Sequence, residues 1–169
     1  DGHAQVFADF ALQADGSARM VLLADAMSPR RVGRAVQRLL EIGCGWGSLA
    51  ERALERAAVE YVGLTLSSEQ RDHVLGRLGE QGNEGRAQVH LQDYRDVRGL
   101  FDAIASVEMV EAVGERYWPA YLQSIASLLK PGGRAAIQFI SIDDAIYPAY
   151  AARADFIQRY VFPGGCLIS

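Results

Sequence analysis

Gly43, Gly45 and Gly47 are spaced so that they could hold a ligand, in the stretch Leu39 to Ala50, LLEIGCGWGSLA. Leu39, Leu40 and Ile42 read as a strand. The glycines then let the backbone turn sharply with no Cβ in a ligand's way, and Ser48 resumes helical spacing. Such a turn suits a nucleotide-type cofactor, although a plain strand-to-helix connection also uses glycine. The third glycine follows the second by two residues, with Trp46 between them, whereas the dinucleotide fingerprint needs three. This spacing favours S-adenosylmethionine over a nicotinamide cofactor. Glu41, at the strand end, suits the cationic aminoacyl part of that cofactor or fixes the glycine loop by accepting backbone N–H bonds.

Other candidates fall at later strand ends. After the apolar run Glu60 to Leu64 comes TLSSEQ, running from Thr65 through Leu66 and Ser67 to Gln70. Ser67 and Gln70 have capping-box spacing, and a Thr hydroxyl with a Gln amide can also hydrogen-bond ribose hydroxyls. Asp93 and Tyr94 follow the alternating run Ala87 to Leu91. The acid there accepts from an adenine amino group or caps the next turn, and the aromatic ring offers a stacking face. Glu108 and Glu111 follow Phe101 to Val107. Their spacing of three places them near one helical face if a turn forms, either acting on one site or serving as first-turn acids.

The elements that position these residues alternate strand and helix, which predicts a parallel sheet. A helical stripe through Leu49, Ala50, Ala53, Leu54 and Ala57 follows the glycine turn and completes a βαβ unit. A helix is expected from Ser68, another over Tyr117 to Lys130 stopped by Pro131-Gly132-Gly133, a fifth strand over Ala135 to Ile142, and a helix over Ile146 to Tyr160. Asp1 to Arg38 is less legible, with apolar runs at Val6 to Leu12 and Met20 to Met27, a turn at Asp15-Gly16, and a basic, helix-compatible stretch from Arg30. With 169 residues, half of them apolar, the chain has the size of one domain with a real core. No apolar run approaches the roughly 20 residues of a spanning helix and no basic-then-apolar leader opens the chain, so a cytoplasmic protein is expected. Cys44 and Cys166 form no metal-ligating cluster, so no metal site is expected, and a net charge of −4 argues against broad nucleic-acid binding.

The strings LEIGCGWG, GLTLSSEQ, SVEMVEAVGERYW, LKPGG, IQFISI and DFIQRYVFPGGCLIS, in this order from Leu39 to Ser169, resemble the cyclopropane fatty acid synthase family of methyltransferases. The glycine turn and LKPGG are common to many methyltransferases. The strings EMVEAVGERYW and IQRYVFPGGCL are far more specific. The resemblance implies an α/β fold of the Rossmann-like class I S-adenosylmethionine-dependent methyltransferase type, a mostly parallel sheet with helices on both faces. It leaves residues 1–38 as a segment of uncertain structure, and residues 39–169 as a cofactor-binding domain incomplete at its C-terminus, without the last two strands.

The activity implied is transfer of the cofactor's sulfonium methyl to the cis double bond of an unsaturated phospholipid acyl chain at a membrane surface, by a protein peripheral to the inner face of the membrane. The product is a cyclopropane or a methyl branch, and a homodimer is left open. The expected cofactor residues are Glu41, Gly43, Gly45, Trp46, Gly47, Thr65, Leu66, Ser67, Gln70, Asp93 and Tyr94. By resemblance the catalytic set is Glu111, Gln138 and the backbone of Ile140, which would hold a bicarbonate as base, with Gln138 standing where many members carry His. A Gln amide can donate to bicarbonate but cannot take a proton. Two other readings stay open: N-methylation of a small amine by a relative of this family, and a cofactor-binding module without catalysis.

Overall fold

The computed structural model describes residues 4–12, 18–22, 38–152, 159–160 and 165–168. Its elements are β1 (Ala4–Leu12), β2 (Ala18–Leu22), β3 (Arg38–Ile42), α1 (Ser48–Arg56), β4 (Glu60–Thr65), α2 (Ser68–Glu80), β5 (Ala87–Leu91), β6 (Phe101–Val107), α3 (Val110–Val113), α4 (Trp118–Leu128), β7 (Leu129–Ser141) and α5 (Tyr147–Ala151). Seven strands form one sheet in the order β2-β1-β7-β6-β3-β4-β5. The five strands from β3 onward run parallel, so all of them end at the same edge.

Helices cover both faces of the parallel strands, because side chains on a strand alternate between faces. Leu40, Ile42, Val62 and Leu64 share one buried cluster with Tyr121, Ile125 and Leu128 of α4. On the other face, Tyr61 and Val89 pack with Ala50 and Leu54 of α1 and with Val74 and Leu78 of α2. Each helix therefore buries residues four apart on one stripe, and each fully buried Leu or Ile stabilises the fold by about 1.5–3 kcal/mol. Ser67 caps α2 by accepting from the Gln70 amide at 3.1 Å, and a proline in the first turn opens α4.

Several sequence expectations change. The helix predicted to run to Lys130 ends at Leu128, and β7 starts at Leu129, six residues before the expected strand. Pro131-Gly132-Gly133 is taken into β7 as an irregularity: Phe101 pairs with Leu129 and Ala103 with Arg134, so surplus residues bulge out, with Gly132 at φ 78°. Of the helix predicted over Ile146 to Tyr160, Tyr147–Ala151 form a helix and residues 159–160 are also helical, while 153–158 lie outside the described residues. The apolar run Val6 to Leu12 lies in β1, which pairs antiparallel with β7 in register Ala4↔Ser141 to Ala11↔Arg134 and occupies the flank beyond β7. The basic stretch expected as helix lies outside the described residues up to position 37, and Arg38 begins β3.

Candidate active site

The shared edge of the parallel strands opens into a cavity of about 830 Å³. Its walls come from the ends of β3 and β4, the start of α2, the stretch 92–95 after β5, and α3. Among the expected cofactor residues, Gly43, Gly45, Thr65, Leu66, Ser67, Gln70, Asp93 and Tyr94 line it. They come together because every βα connection of a parallel sheet lies at one edge.

The glycine turn contributes in two ways. Gly43 has φ 79°, and a Cβ there would lie 2.3 Å from the Met109 sulfur, so any side chain would collide with a residue that itself walls the cavity. Gly45, at φ 51°, has nothing within 4 Å of such a Cβ and leaves the main chain open to a ligand. The Gly43 and Cys44 amides both donate to the Leu64 carbonyl, at 3.1 and 2.8 Å, which locks the turn onto β4.

After β4, the Thr65 hydroxyl donates to Gln70 Oε1 at 2.7 Å and accepts from the Ser67 amide at 3.1 Å. Gln70 therefore spends its oxygen inside the protein and keeps its NH₂ as the donor for a ligand. After β5, Asp93 accepts from the Arg95 amide at 2.9 Å and pairs with its guanidinium at 2.7 Å. Those contacts, the side-chain ones first, hold its carboxyl below the usual range. Asp93 caps a single 3₁₀ turn, so the capping alternative is realised, and the residue also lines the cavity. Tyr94 meets the Tyr121 ring edge-on at 5.2 Å.

Three expected cofactor residues sit elsewhere. Glu41 is 3% exposed and does not line the cavity. It accepts a hydrogen bond of 2.5 Å from the Tyr61 hydroxyl, and burial pushes its carboxyl up to about 7 against that bond. No backbone N–H of the glycine turn donates to it among the described residues; the Tyr61 hydroxyl of the adjacent strand does. Trp46 is exposed and packs edge-on against His73 at 5.2 Å. Gly47 is buried against Val74 and caps α1.

The residues implied as catalytic gather behind α3. The Ile140 amide donates to Glu111 Oε1 in a short hydrogen bond, and the Cys166 amide donates to the Glu111 carbonyl at 2.8 Å. Glu111 is 6% exposed, and its Oε2 is buried without a hydrogen-bond partner among the described residues. Burial, helped by the nearby Glu108 charge and opposed by backbone hydrogen bonds, pushes the Glu111 carboxyl up. Gln138 donates to Glu108 Oε1 at 3.3 Å, while the Glu108 amide donates to the Gln138 carbonyl at 2.9 Å.

Glu108, paired with Glu111 as a candidate by spacing, serves neither as a first-turn acid nor on the same helical face. Its spacing from Glu111 suggests one helical face, but α3 begins only at Val110, and Glu108 takes a left-handed φ of 53°. It therefore points its carboxylate to β7 rather than along a helix. Sequence reasoning missed Met109, Ala112, Val113 and Tyr117 as cavity walls. The apolar residues flanking Glu111 were the available signal.

The residues present are chemically compatible with an implied bicarbonate. One N–H of the Gln138 amide donates to Glu108 and a Gln amide carries a second, while the Ile140 amide donates to Glu111. Glu111 Oε2, without a partner among the described residues, could accept from the O–H of such an anion.

Known proteins are similar to this chain in sequence and in structure. The tuberculostearic acid methyltransferase UfaA1 of Mycobacterium tuberculosis is 44% identical over 131 residues, covering 78% of this chain and 30% of that protein. The cyclopropane-fatty-acyl-phospholipid synthase of Escherichia coli K12 is 37% identical over 136 residues, covering 78% of this chain and 32% of that protein. The chain thus spans about a third of the length of these relatives. The crystal structure of mycolic acid cyclopropane synthase CmaA1 complexed with SAH and CTAB superposes with a TM-score of 0.72 at 30% identity, covering 80% of this chain and 51% of that one. A family model described as mycolic acid cyclopropane synthetase matches residues 31–169, most of the chain, and this protein belongs to that family.

Proposed function

We propose that this chain forms the cofactor site and the proton-accepting side of an S-adenosylmethionine-dependent C-methyltransferase. It adds a methylene or a methyl branch across the cis double bond of an unsaturated phospholipid acyl chain at a membrane surface. The observation that carries the reading is Glu111, a buried carboxylate with one unpartnered oxygen, one residue from the cavity wall formed by Ala112. A carboxylate held dry in this way suits a reaction that develops positive charge on carbon and must then lose a proton.

S-Adenosylmethionine, when bound, supplies an electrophilic methyl group. The open main chain at Gly45 and the cavity volume fit it. Gln70 offers its NH₂ to the ribose hydroxyls beside Thr65, with Leu66 and Ser67 forming the adjoining wall. Asp93 and Tyr94 serve the adenine end. Met109, Ala112 and Val113 give an apolar wall that keeps water from the reacting carbons. An alkene is a weak, neutral nucleophile, so alignment and dryness are the protein's main contribution. Loss of a proton from the new methyl closes a ring; a hydride shift before that loss gives a branch.

A lipid surface is supported by where the exposed apolar side chains lie. Leu66 is 75% exposed and Trp46 55%, and both follow strands that end at the cavity edge; exposed Leu91 ends another such strand and exposed Ile146 follows one. No helix among the described residues is long and apolar enough to cross a membrane.

The test is mass spectrometry of vesicles of monounsaturated phospholipid incubated with the full-length protein and S-adenosylmethionine. The expected product is heavier by about 14 mass units, one CH₂ on an acyl chain, and fragmentation separates ring from branch. Folded protein that binds the cofactor and leaves the lipid unchanged would overturn the reading. Methyl transfer to a small amine would then favour N-methylation.

A further inference from the structure

We propose that Tyr121, which lies outside the cavity wall, is a positioning residue for the cofactor. Acting through Ser106, it fixes the strand end from which the glycine turn departs, while its ring backs Tyr94. The proposal rests on the cofactor half of the reading above and does not depend on which group accepts the methyl.

The argument starts from strand register. Ile42 of β3 and Ser106 of β6 are partners on neighbouring parallel strands, near the edge where those strands end. Ile42 lines the cavity and is followed directly by Gly43. Ser106 is 0% exposed, so its hydroxyl must find its partners inside the protein. It donates to the Ile42 carbonyl at 3.1 Å and accepts from the Tyr121 hydroxyl of α4 at 2.5 Å. Tyr121 is as deeply buried, and burial pushes its phenol up, so it remains a donor across the neutral range.

The order of donors gives this relay its direction. A serine hydroxyl carries one proton and rotates to suit its surroundings. With the Tyr121 proton occupying a lone pair of Ser106 Oγ, the serine's own proton is left for the Ile42 carbonyl, and each bond polarises the next. The last residue before the glycine turn is thereby tied to a helix on the far side of β6. The same tyrosine supports a second wall: its ring meets that of Tyr94, which lines the cavity, at 5.2 Å with the planes at 90°. The strands leading to these two walls, β3 and β5, are separated in the sheet by β4. Tyr121 therefore sets the spacing between the glycine turn and the aromatic wall. A ligand gripped by both binds more weakly when that spacing relaxes, because binding must then order it.

Glu111 lies near enough to contribute to the raised pKa of Tyr121. The phenolic proton nevertheless goes to Ser106, and Glu111 Oε2 has no partner among the described residues. The hydroxyl thus serves the turn rather than the carboxylate, which places its effect on cofactor affinity and not on the chemical step.

The test is calorimetric titration of S-adenosylhomocysteine into the full-length protein, paired with initial rates of lipid methylation at varied S-adenosylmethionine. Tyr121→Phe keeps the ring and removes the hydroxyl. It should raise Kd and the cofactor KM about five- to tenfold, with kcat within about twofold of wild type. Ser106→Ala should match or exceed that loss, and adding Tyr121→Phe to it should weaken binding no further, because the phenol acts only through the serine. Ile125→Val, one turn further along α4, removes a buried methyl outside the relay. It should lower the urea midpoint and leave Kd within about twofold. Should Ser106→Ala, which strands the Tyr121 hydroxyl, fail to fold, Tyr121→Phe and Ile125→Val decide the question between them. An unmoved Kd in Tyr121→Phe, additive losses in the double variant, a fall in kcat at unchanged cofactor KM, or equal weakening by Ile125→Val would each overturn the proposal. Failure of the C-methylation reading shows separately, as lipid left unchanged by the wild type while the Kd series keeps the pattern above.

Discussion

Glu41 and Glu111 are carboxylates of nearly equal burial, 3% and 6% exposed, and both sit near the edge where the strands end. What their oxygens meet separates them. Glu41 lies beneath the glycine turn against a phenol of the neighbouring strand, which donates at 2.5 Å, and none of its oxygens is left buried and bare. Glu111 lies in a four-residue helix, takes one backbone donor, and leaves the other oxygen without a partner among the described residues. An unsatisfied buried acceptor costs about 1–3 kcal/mol. An oxygen left this way can accept a proton or a ligand's donor, so two carboxylates of nearly equal burial differ in what they can do.

That contrast can be broken in stages. The largest effect expected is on turnover: Glu111→Gln should cut lipid methylation by about 10²–10⁴-fold while the protein still binds S-adenosylhomocysteine by calorimetry. The next is on stability. Burial raises the Glu41 pKa from its ordinary 4.5 to about 7. A raised acid pKa means the folded state binds the proton more tightly, so the contribution is full below pH 4.5 and is lost as pH rises through about 7. The swing is about 3 kcal/mol, and Glu41→Gln should flatten it in urea titrations at pH 5 and pH 8. A pH dependence identical to wild type would show that Glu41 is not the group titrating.

Tyr61→Phe sharpens the comparison by making Glu41 resemble Glu111. It should cost about 1–3 kcal/mol, more at pH 8 than at pH 5, because the stranded oxygen is charged at the higher pH. The smallest effect concerns Glu108: the glycine variant should be more stable than Glu108→Ala by about 1 kcal/mol, since both lose the bond to Gln138 and only glycine accepts φ 53° freely. Equal urea midpoints for the two would remove the strain argument.

The parts of this site legible in the sequence are those made by neighbours in the chain. Gly43, Gly45, Thr65, Ser67, Gln70, Asp93 and Tyr94 all line one cavity because each lies at or just after the end of a strand whose apolar run or alternation is visible over five or six residues. The partner of Glu41 is twenty residues away and that of Gln138 thirty, and neither spacing has a periodicity to announce it. Trp46 illustrates the same limit: it stands inside the motif, yet its ring turns outward to His73.

The sequence by itself determined the alternation of strands and helices, the glycine turn and its ligand-facing edge, because these depend on local backbone preference and on which positions are apolar. It also carried the family resemblance. Only the tertiary structure decided that residues from β1 flank β7, that Pro131-Gly132-Gly133 bulges within a strand rather than preceding one, and that Glu108 turns left-handed to clasp Gln138. Those outcomes depend on which strands become neighbours and in what register. Register is a property of the whole sheet, and it determines which of two buried carboxylates is satisfied and which keeps an oxygen without a partner among the described residues.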